Sequence, residues 1–244
     1  MVARLAQRLT CLSLDLPGVG DSLPAPEFDY SLESLAKLIR HFVMGKELRN
    51  VTLFAHSFGA GIALLSLIQG DTDFSQCVAR LCILDGMCYP QRFPLFVAAL
   101  RAPILSQVVT ELLPTRLQAL SVLQQCYFDA SKITNSQVAS YSHTLERPQT
   151  RNAVRRMARE IDPDHLSKYL PALKTITIPT LLIWGRHDQI VPLQNGERLA
   201  RDIPTSELHV LDACGHMPQE ECPDLVVELI IAFLNKTNIT PAHP

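Results

Sequence analysis

The sequence predicts an α/β fold in which a mostly parallel sheet carries helices on its faces. Short runs of β-branched and apolar residues alternate with segments of helical periodicity at both ends of the chain, as crossover connections between parallel strands require. The 244 residues are 47% hydrophobic, enough to bury one large core. Lysine and arginine total 22 against 24 aspartates and glutamates, so the charge balance favours neither nucleic acid nor an anionic membrane as a partner. A small-molecule partner is expected.

The predicted elements alternate along the chain as a parallel sheet with crossover helices would. Strands are predicted at residues 10–16, 51–55, 80–84, 180–184 and 207–211. Helices are predicted at residues 31–43, 58–68, 194–201 and 223–234.

Residues 87–174 differ in pattern from the rest of the chain. Apolar residues recur there at helical spacing with almost no strand signal, and Pro94, Pro103, Pro114 and Pro148 divide the stretch into short helices. The arginines between residues 151 and 159 are followed closely by acidic residues, which favours a solvated helix face over a ligand site. We therefore expect a core made of residues 1–86 and 175–244, with an all-helical insertion at 87–174.

The N-terminus and the cysteines bear on compartment and cofactors. "MVARLAQRLTCLSLDLPG" carries charges where a secretory signal needs an apolar run, and no segment approaches the length of an uncharged membrane span. A cytoplasmic protein without a membrane span is expected. The seven cysteines are odd in number and lie mostly in apolar runs, which favours reduced thiols. Cys214, His216 and Cys222 match no zinc spacing, so neither a metal nor a cofactor is expected.

Ser57 lies in "VTLFAHSFGAGIALL", where a predicted strand turns directly into a helix. Such an elbow exposes one side chain above the sheet edge and favours small residues two positions before and after it, here Ala55 and Gly59. The Phe58 amide then opens the helix, where its N–H lacks an intrahelical acceptor and suits negative charge. A serine at this position could instead cap the helix. Capping alone requires no small neighbours, so we favour a nucleophile, with the Phe58 N–H in an oxyanion hole.

A nucleophilic serine needs a base, and His216 is the candidate. It lies in "LDACGHMPQEECP", on a loop that leaves the predicted strand 207–211, and so at the sheet end that Ser57 occupies. His41, His143 and His165 lie in helical or surface segments, His209 within a strand, and His187 beside the acid candidate. His56, next to Ser57, is expected to pack or to form a local hydrogen bond.

The base in turn needs an acid to orient it, and two aspartates follow strands. Asp188 lies in "TLLIWGRHDQIVP" after the strand 180–184, and Asp85 follows the strand 80–84. We favour Asp188 because its strand directly precedes the histidine strand, which gives the chain order Ser, Asp, His. Asp85 remains the alternative.

With these motifs the sequence resembles the α/β-hydrolase superfamily, specifically its lidded esterase-like members. "AHSFGA" is similar to the nucleophile elbow, "DLPGVGDS" to the loop after an earlier strand, "IWGRHDQIVP" to the acid loop and "CGHMPQEECP" to the histidine loop. The resemblance implies that the helical insertion is a cap, and that small carboxylic esters are hydrolysed through an acyl-enzyme on Ser57. A serine at residue 57, in place of aspartate, points away from dehalogenase and epoxide-hydrolase activities.

The sequence departs from the family pattern in two places. Ala55 replaces the first glycine of G-x-S-x-G, and the N-terminal strands with the His-Gly loop that supplies a second oxyanion N–H have no counterpart upstream of Ser57. Either the chain is a fragment, or the strands 10–16 and 51–55 pair directly, or another donor substitutes. Losing one donor would lower turnover by about 10²–10³.

Two alternative functions remain open. The first is hydrolysis of a C–C bond in a vinylogous diketone by the same fold; such enzymes usually carry asparagine before the serine, so His56 favours the ester. The second is a catalytically impaired remnant that binds a ligand.

Overall fold

One parallel sheet forms the centre of the molecule and confirms the predicted α/β fold. The computed structural model describes residues 1–160 and 167–237, and within them four parallel strands pair in chain order. The strands are β1 Val51–His56, β2 Val78–Leu84, β3 Thr180–Gly185 and β4 Ser206–Leu211. His56 lies opposite Leu84, which in turn lies opposite Ile183. The carboxyl ends of the first three strands therefore lie side by side.

The prediction of a strand at residues 10–16 is wrong. This segment is irregular, and its Leu12 and Leu14 side chains are 56% and 41% exposed. Within the described residues β1 pairs only with β2, so the direct pairing of segment 10–16 with β1 that the sequence allows is not formed. Alternating apolar residues favour a strand only where a neighbouring strand completes the hydrogen-bond ladder.

Helices flank the sheet and precede or follow its strands. They are α1 Val2–Leu5, α2 Leu32–Gly45, α3 Phe58–Ile68, α4 Thr72–Cys77, α5 Leu95–Arg101, α6 Pro103–Leu112, α7 Thr115–Cys126, α8 Asn135–Glu146, α9 Pro148–Glu160, α10 Leu193–Asp202, α11 Pro218–Glu221 and α12 Pro223–Lys236. The four predicted helices correspond to α2, α3, α10 and α12, and α3 has the predicted bounds.

The segment 87–174 contains α5 to α9 and two short 3₁₀ helices, Ala130–Lys132 and Leu170–Thr175, and no strand in its described part. Pro94 and Pro114 immediately precede α5 and α7, while α6 and α9 begin at Pro103 and Pro148. Prolines therefore do separate these helices. Residues 161–166 of the predicted insertion and 238–244 of the predicted core lie outside the described residues, and the division into two units stays a prediction.

The central strands β2 and β3 are buried on both faces, because their alternate residues enter different clusters. On one face, Leu81, Ile83, Leu182 and Trp184 pack with α3 and with side chains of the 87–174 segment. On the other, Cys82, Leu84, Leu181 and Ile183 pack with α1 and α12. This two-sided burial explains why both strands read as continuous apolar runs.

None of the described helices is by itself long and apolar enough to cross a membrane. The bent pair α5–α6 has sufficient length and apolar composition only when both helices are taken together.

Substitution of Gly185 by alanine tests the contact between β3 and the loop after β4. An added Cβ would overlap the Gly215 carbonyl oxygen and lie 2.7 Å from the Cys214 carbonyl oxygen. We expect Gly185→Ala to lower the free energy of unfolding by about 1–3 kcal/mol, because backbone atoms must move to admit the methyl group. Urea unfolding measures the change.

Gly45→Ala is the matched control, since a Cβ on this helical glycine meets no atom within 4 Å. It should leave stability unchanged or raise it by up to about 1 kcal/mol. Equal stabilities for the two variants would contradict the contact.

Candidate active site

Ser57 occupies a strained turn between β1 and α3. Its φ of 52° and ψ of −122° lie outside the regions that L-residues normally adopt. The backbone is held from both sides: the Ser57 N–H donates to the Leu84 carbonyl oxygen at 3.0 Å, and the Ser57 carbonyl oxygen accepts from the N–H groups of Ala60 and Met87. The side chain forms no capping hydrogen bond to the helix, which contradicts the alternative that Ser57 serves as an N-cap.

The structure brings Ser57, His216 and Asp188 together in one hydrogen-bonded chain. The His216 Nε2 atom lies 2.9 Å from the Ser57 Oγ atom, and the His216 Nδ1 atom lies 2.8 Å from the Asp188 Oδ2 atom. His216 and Asp188 are buried, at 4% and 7% exposure. With the proton on Nδ1 donated to the carboxylate, Nε2 is left to accept the serine proton.

Each of these three residues follows the carboxyl end of a strand. Ser57 follows β1, Asp188 lies just beyond β3, and His216 lies on the loop between β4 and α11. The other oxygen of the Asp188 carboxylate is also held in place. Its Oδ1 atom accepts from the N–H groups of Ile190 at 2.7 Å and Val191 at 2.9 Å.

The histidine loop is held by residues that sequence reasoning missed. The His216 N–H donates to the Cys126 carbonyl oxygen at 2.7 Å, at the end of α7. The buried Glu221 carboxylate accepts from the N–H groups of Gly215 and Met217 through one oxygen and of Phe128 through the other. Two adjacent glutamates in the sequence gave no signal that one of them faces inward.

Asp85, the alternative acid, lies at the end of β2 and is fully buried. Its Oδ1 atom accepts from the Gly185 N–H at 2.9 Å, whereas His216 is bonded to Asp188. One oxygen from each aspartate and a ring nitrogen of His216 lie within 4.8 Å of one another. A histidine whose Nδ1 proton is donated to Asp188 cannot ligate a metal through that atom, so hydrogen bonding accounts for this cluster. All seven cysteines lie within the described residues and carry free thiols.

The Phe58 N–H is available to a ligand. Phe58 is the first residue of α3, and its N–H has no hydrogen-bond acceptor among the described residues. The steric reason offered for Gly59 is wrong, however, because a Cβ at this position would meet no atom within 4 Å. The helix there has open space beside it.

His56 forms a hydrogen bond with the loop that carries His216. Its Nε2 atom lies 2.7 Å from the His216 carbonyl oxygen, and the two rings lie 4.8 Å apart. Burial lowers the pKa of His56 to about 4. The ring is therefore neutral near pH 7 and donates its Nε2 proton to the carbonyl, the local hydrogen bond that the sequence suggested.

A sequence profile of the Alpha/beta hydrolase family matches residues 1–229. The chain belongs to this family. An uncharacterized hydrolase of Bacillus subtilis, YugF, is 28% identical over 239 residues, which cover 96% of this chain and 83% of YugF.

Solved structures share the fold. A meta-cleavage product hydrolase from Pseudomonas fluorescens superposes with a TM-score of 0.78 at 24% identity, covering 92% of this chain and 79% of that one. An esterase from Exiguobacterium antarcticum gives 0.73 at 22% identity, covering 91% and 80%. These neighbours of different activity indicate a hydrolase fold and leave the substrate open.

The low pKa of His56 makes stability depend on pH. The unfolded imidazole, with its ordinary value of 6.5, takes up a proton before the folded one does. The contribution of His56 to the free energy of unfolding is therefore largely present above pH 6.5. It is lost as the pH decreases towards 4, by up to about 3 kcal/mol. His56→Gln keeps an N–H donor but cannot titrate, so we expect its free energy of unfolding to lose this component of the pH dependence.

Urea unfolding across this pH range measures the effect, with His41→Gln as the control because His41 is exposed on α2. The control should follow the wild type. An unchanged slope in His56→Gln would contradict a neutral His56 in the folded protein.

Proposed function

We propose that this hydrolase cleaves small carboxylic esters through an acyl-enzyme on Ser57. The observation that carries the proposal is the hydrogen-bonded chain from the Ser57 Oγ atom through His216 to Asp188, with distances of 2.9 and 2.8 Å. These distances lie within the range needed for proton transfer between a nucleophile and its base. The serine also occupies the strained turn typical of an exposed nucleophile.

The proposed reaction has two stages. The Ser57 Oγ atom bonds to the acyl carbon while His216 Nε2 takes the hydroxyl proton, and that proton then passes to the alcohol as the ester C–O bond breaks. Water, deprotonated by His216, attacks the acyl-enzyme and releases the acid. Asp188 holds the Nδ1 proton and stabilises the imidazolium form.

The Phe58 N–H, at the start of an eleven-residue helix, would stabilise the negative charge on the carbonyl oxygen. No cofactor is part of this proposal. The helical segment 87–174 would act as the cap, since side chains of α7 such as Leu123 and Cys126 pack against the core beside the histidine loop.

Hydrolysis of a C–C bond is the second candidate, favoured by the similarity in fold to the meta-cleavage product hydrolase. A relative from Cupriavidus pinatubonensis, 24% identical over 225 residues, is named as a hydrolase of 2-hydroxy-6-oxononadienedioate. Dioates carry carboxylates that need cationic partners.

Three of the four arginines of α9 are engaged by the protein itself, contrary to the solvated face that the sequence suggested, while Arg159 is exposed. Arg151 and Arg155 pair with Glu111 on α6, and Arg156 donates to the carbonyl oxygens of Pro26 and Phe28. Their use in structural contacts favours an uncharged ester over a dioate.

Ser57→Ala tests the nucleophile. Removing the hydroxyl leaves no atom to form the acyl-enzyme, so we expect turnover of short-chain p-nitrophenyl esters to fall by at least about 10³ and fluorophosphonate labelling to disappear. Ser131→Ala is the control, because Ser131 lies exposed in the 3₁₀ helix Ala130–Lys132.

A folded wild type that neither labels nor turns over esters would reject the proposal and favour a ligand-binding remnant. Turnover of a vinylogous 1,5-diketone in preference to esters would favour the C–C hydrolase.

Asp188→Asn tests the orienting acid. The amide can present its N–H₂ group to His216 and leave the wrong ring nitrogen protonated, so we expect kcat to fall by about 10⁴. Circular dichroism confirms that the variant folds. A loss smaller than tenfold would mean that His216 does not depend on Asp188.

A further inference from the structure

Asp85 is a buried carboxyl group that the proposed reaction leaves without a role. It lies at the end of β2 with an exposure of 0% and a φ of 43°, in the left-handed region that favours glycine. Its N–H donates to the Ile183 carbonyl oxygen at 3.0 Å, which ties the backbone to β3. A charged side chain at such depth lowers the stability of the fold unless it is paired or hydrogen-bonded, and the left-handed backbone adds a further cost.

The two oxygens of Asp85 have different surroundings. The Oδ1 atom accepts from the Gly185 N–H, while the Oδ2 atom finds no donor among the described residues. The Asp188 carboxylate lies within 4.8 Å. An ionised Asp85 would thus bury an unsatisfied, negatively charged oxygen beside a second carboxylate, and a proton shared between the two groups removes both problems.

The donors around the pair decide which carboxyl holds the proton. Asp188 accepts from the N–H groups of Ile190 and Val191 and from His216 Nδ1, whereas Asp85 accepts only from Gly185 among the described residues. Donors stabilise the ionised form, so Asp188 is the carboxylate and Asp85 the acid.

Other titratable groups near the pair do not oppose this arrangement. Glu221 adds negative charge, and the Cys214 thiol is kept neutral because burial and the charge of Glu221 raise its pKa. His216 is bonded to Asp188, and His56 is neutral. Burial and the charge of Asp188 raise the pKa of Asp85 well above its ordinary value.

We propose that Asp85 is a neutral carboxylic acid whose O–H donates to Asp188 and holds that carboxylate in line with His216. It is a positioning residue, since it acts through Asp188. The hydrogen bond spreads part of the Asp188 charge and resists rotation of its carboxylate, while the Gly185 N–H anchors Asp85 from the other side. The catalytic part of this proposal rests on the proposed ester hydrolysis; the position of the proton does not.

Infrared spectroscopy of the wild type tests the proton without reference to activity. A protonated carboxyl group buried at neutral pH gives a C=O stretch that is distinct from the bands of ionised carboxylates. We expect such a band at pH 7, moving on incorporation of ¹³C-aspartate and absent in Asp85→Asn. Asp73→Asn is the control, because Asp73 is exposed on α4. The absence of an aspartate-dependent band in the folded wild type would overturn the proposal.

Two substitutions test the positioning role by ester turnover. Asp85→Asn supplies a neutral donor to Asp188 and an acceptor to Gly185, so kcat should stay within about threefold of the wild-type value. Asp85→Leu removes both groups at similar volume, and the misplaced Asp188 should lower kcat by about 10² with little change in KM.

Equal losses in the two variants would mean that the charge of Asp85 is required, and would overturn the neutral acid. Equal retention of activity would overturn the positioning role. If the wild type hydrolyses no ester while the infrared band is present, the proposed function fails and the protonated Asp85 stands.

Discussion

The lateral register of the parallel sheet is the constraint on which the site depends. Ladder hydrogen bonds place His56 opposite Leu84 and Leu84 opposite Ile183, so the residues that follow these strands share one edge. Ser57, Asp85 and the loop carrying Asp188 all lie at this edge because the strands end at the same level. A shift of one residue in any ladder would move every side chain of the strand to the opposite face of the sheet and separate Ser57 from His216.

Local motifs and long-range pairing differ in how well the sequence predicted them. The proximity of Ser57, Asp188 and His216 could be predicted because each lies just past a strand with a distinct apolar pattern, and parallel order brings such positions together. Residues 10–16 show the limit of the same reasoning. Their alternating pattern suits a strand, but pairing depends on what lies beside them in space.

The supporting residues could not be predicted, because their roles depend on contacts between distant segments. Glu221 and the Cys126 carbonyl oxygen both accept hydrogen bonds from the histidine loop, although they lie 95 positions apart in the sequence. The sequence likewise left Asp85 as a competitor of Asp188, whereas in the structure Asp188 is bonded to His216 and Asp85 to the Gly185 N–H. The end of α7 is thus hydrogen-bonded to the loop that carries His216. A displacement of that helix would therefore shift the position of the imidazole.

At residue 57 the strained backbone lowers stability, while the serine hydroxyl is required for the proposed activity. A non-glycine residue in this conformation costs about 1–3 kcal/mol, and the hydrogen bonds to Leu84, Ala60 and Met87 maintain it. Glycine would relieve the strain but would lack the hydroxyl, so the residue most favourable for folding at position 57 is one that cannot form the proposed acyl-enzyme. Selection for thermal stability alone would therefore tend to remove the serine.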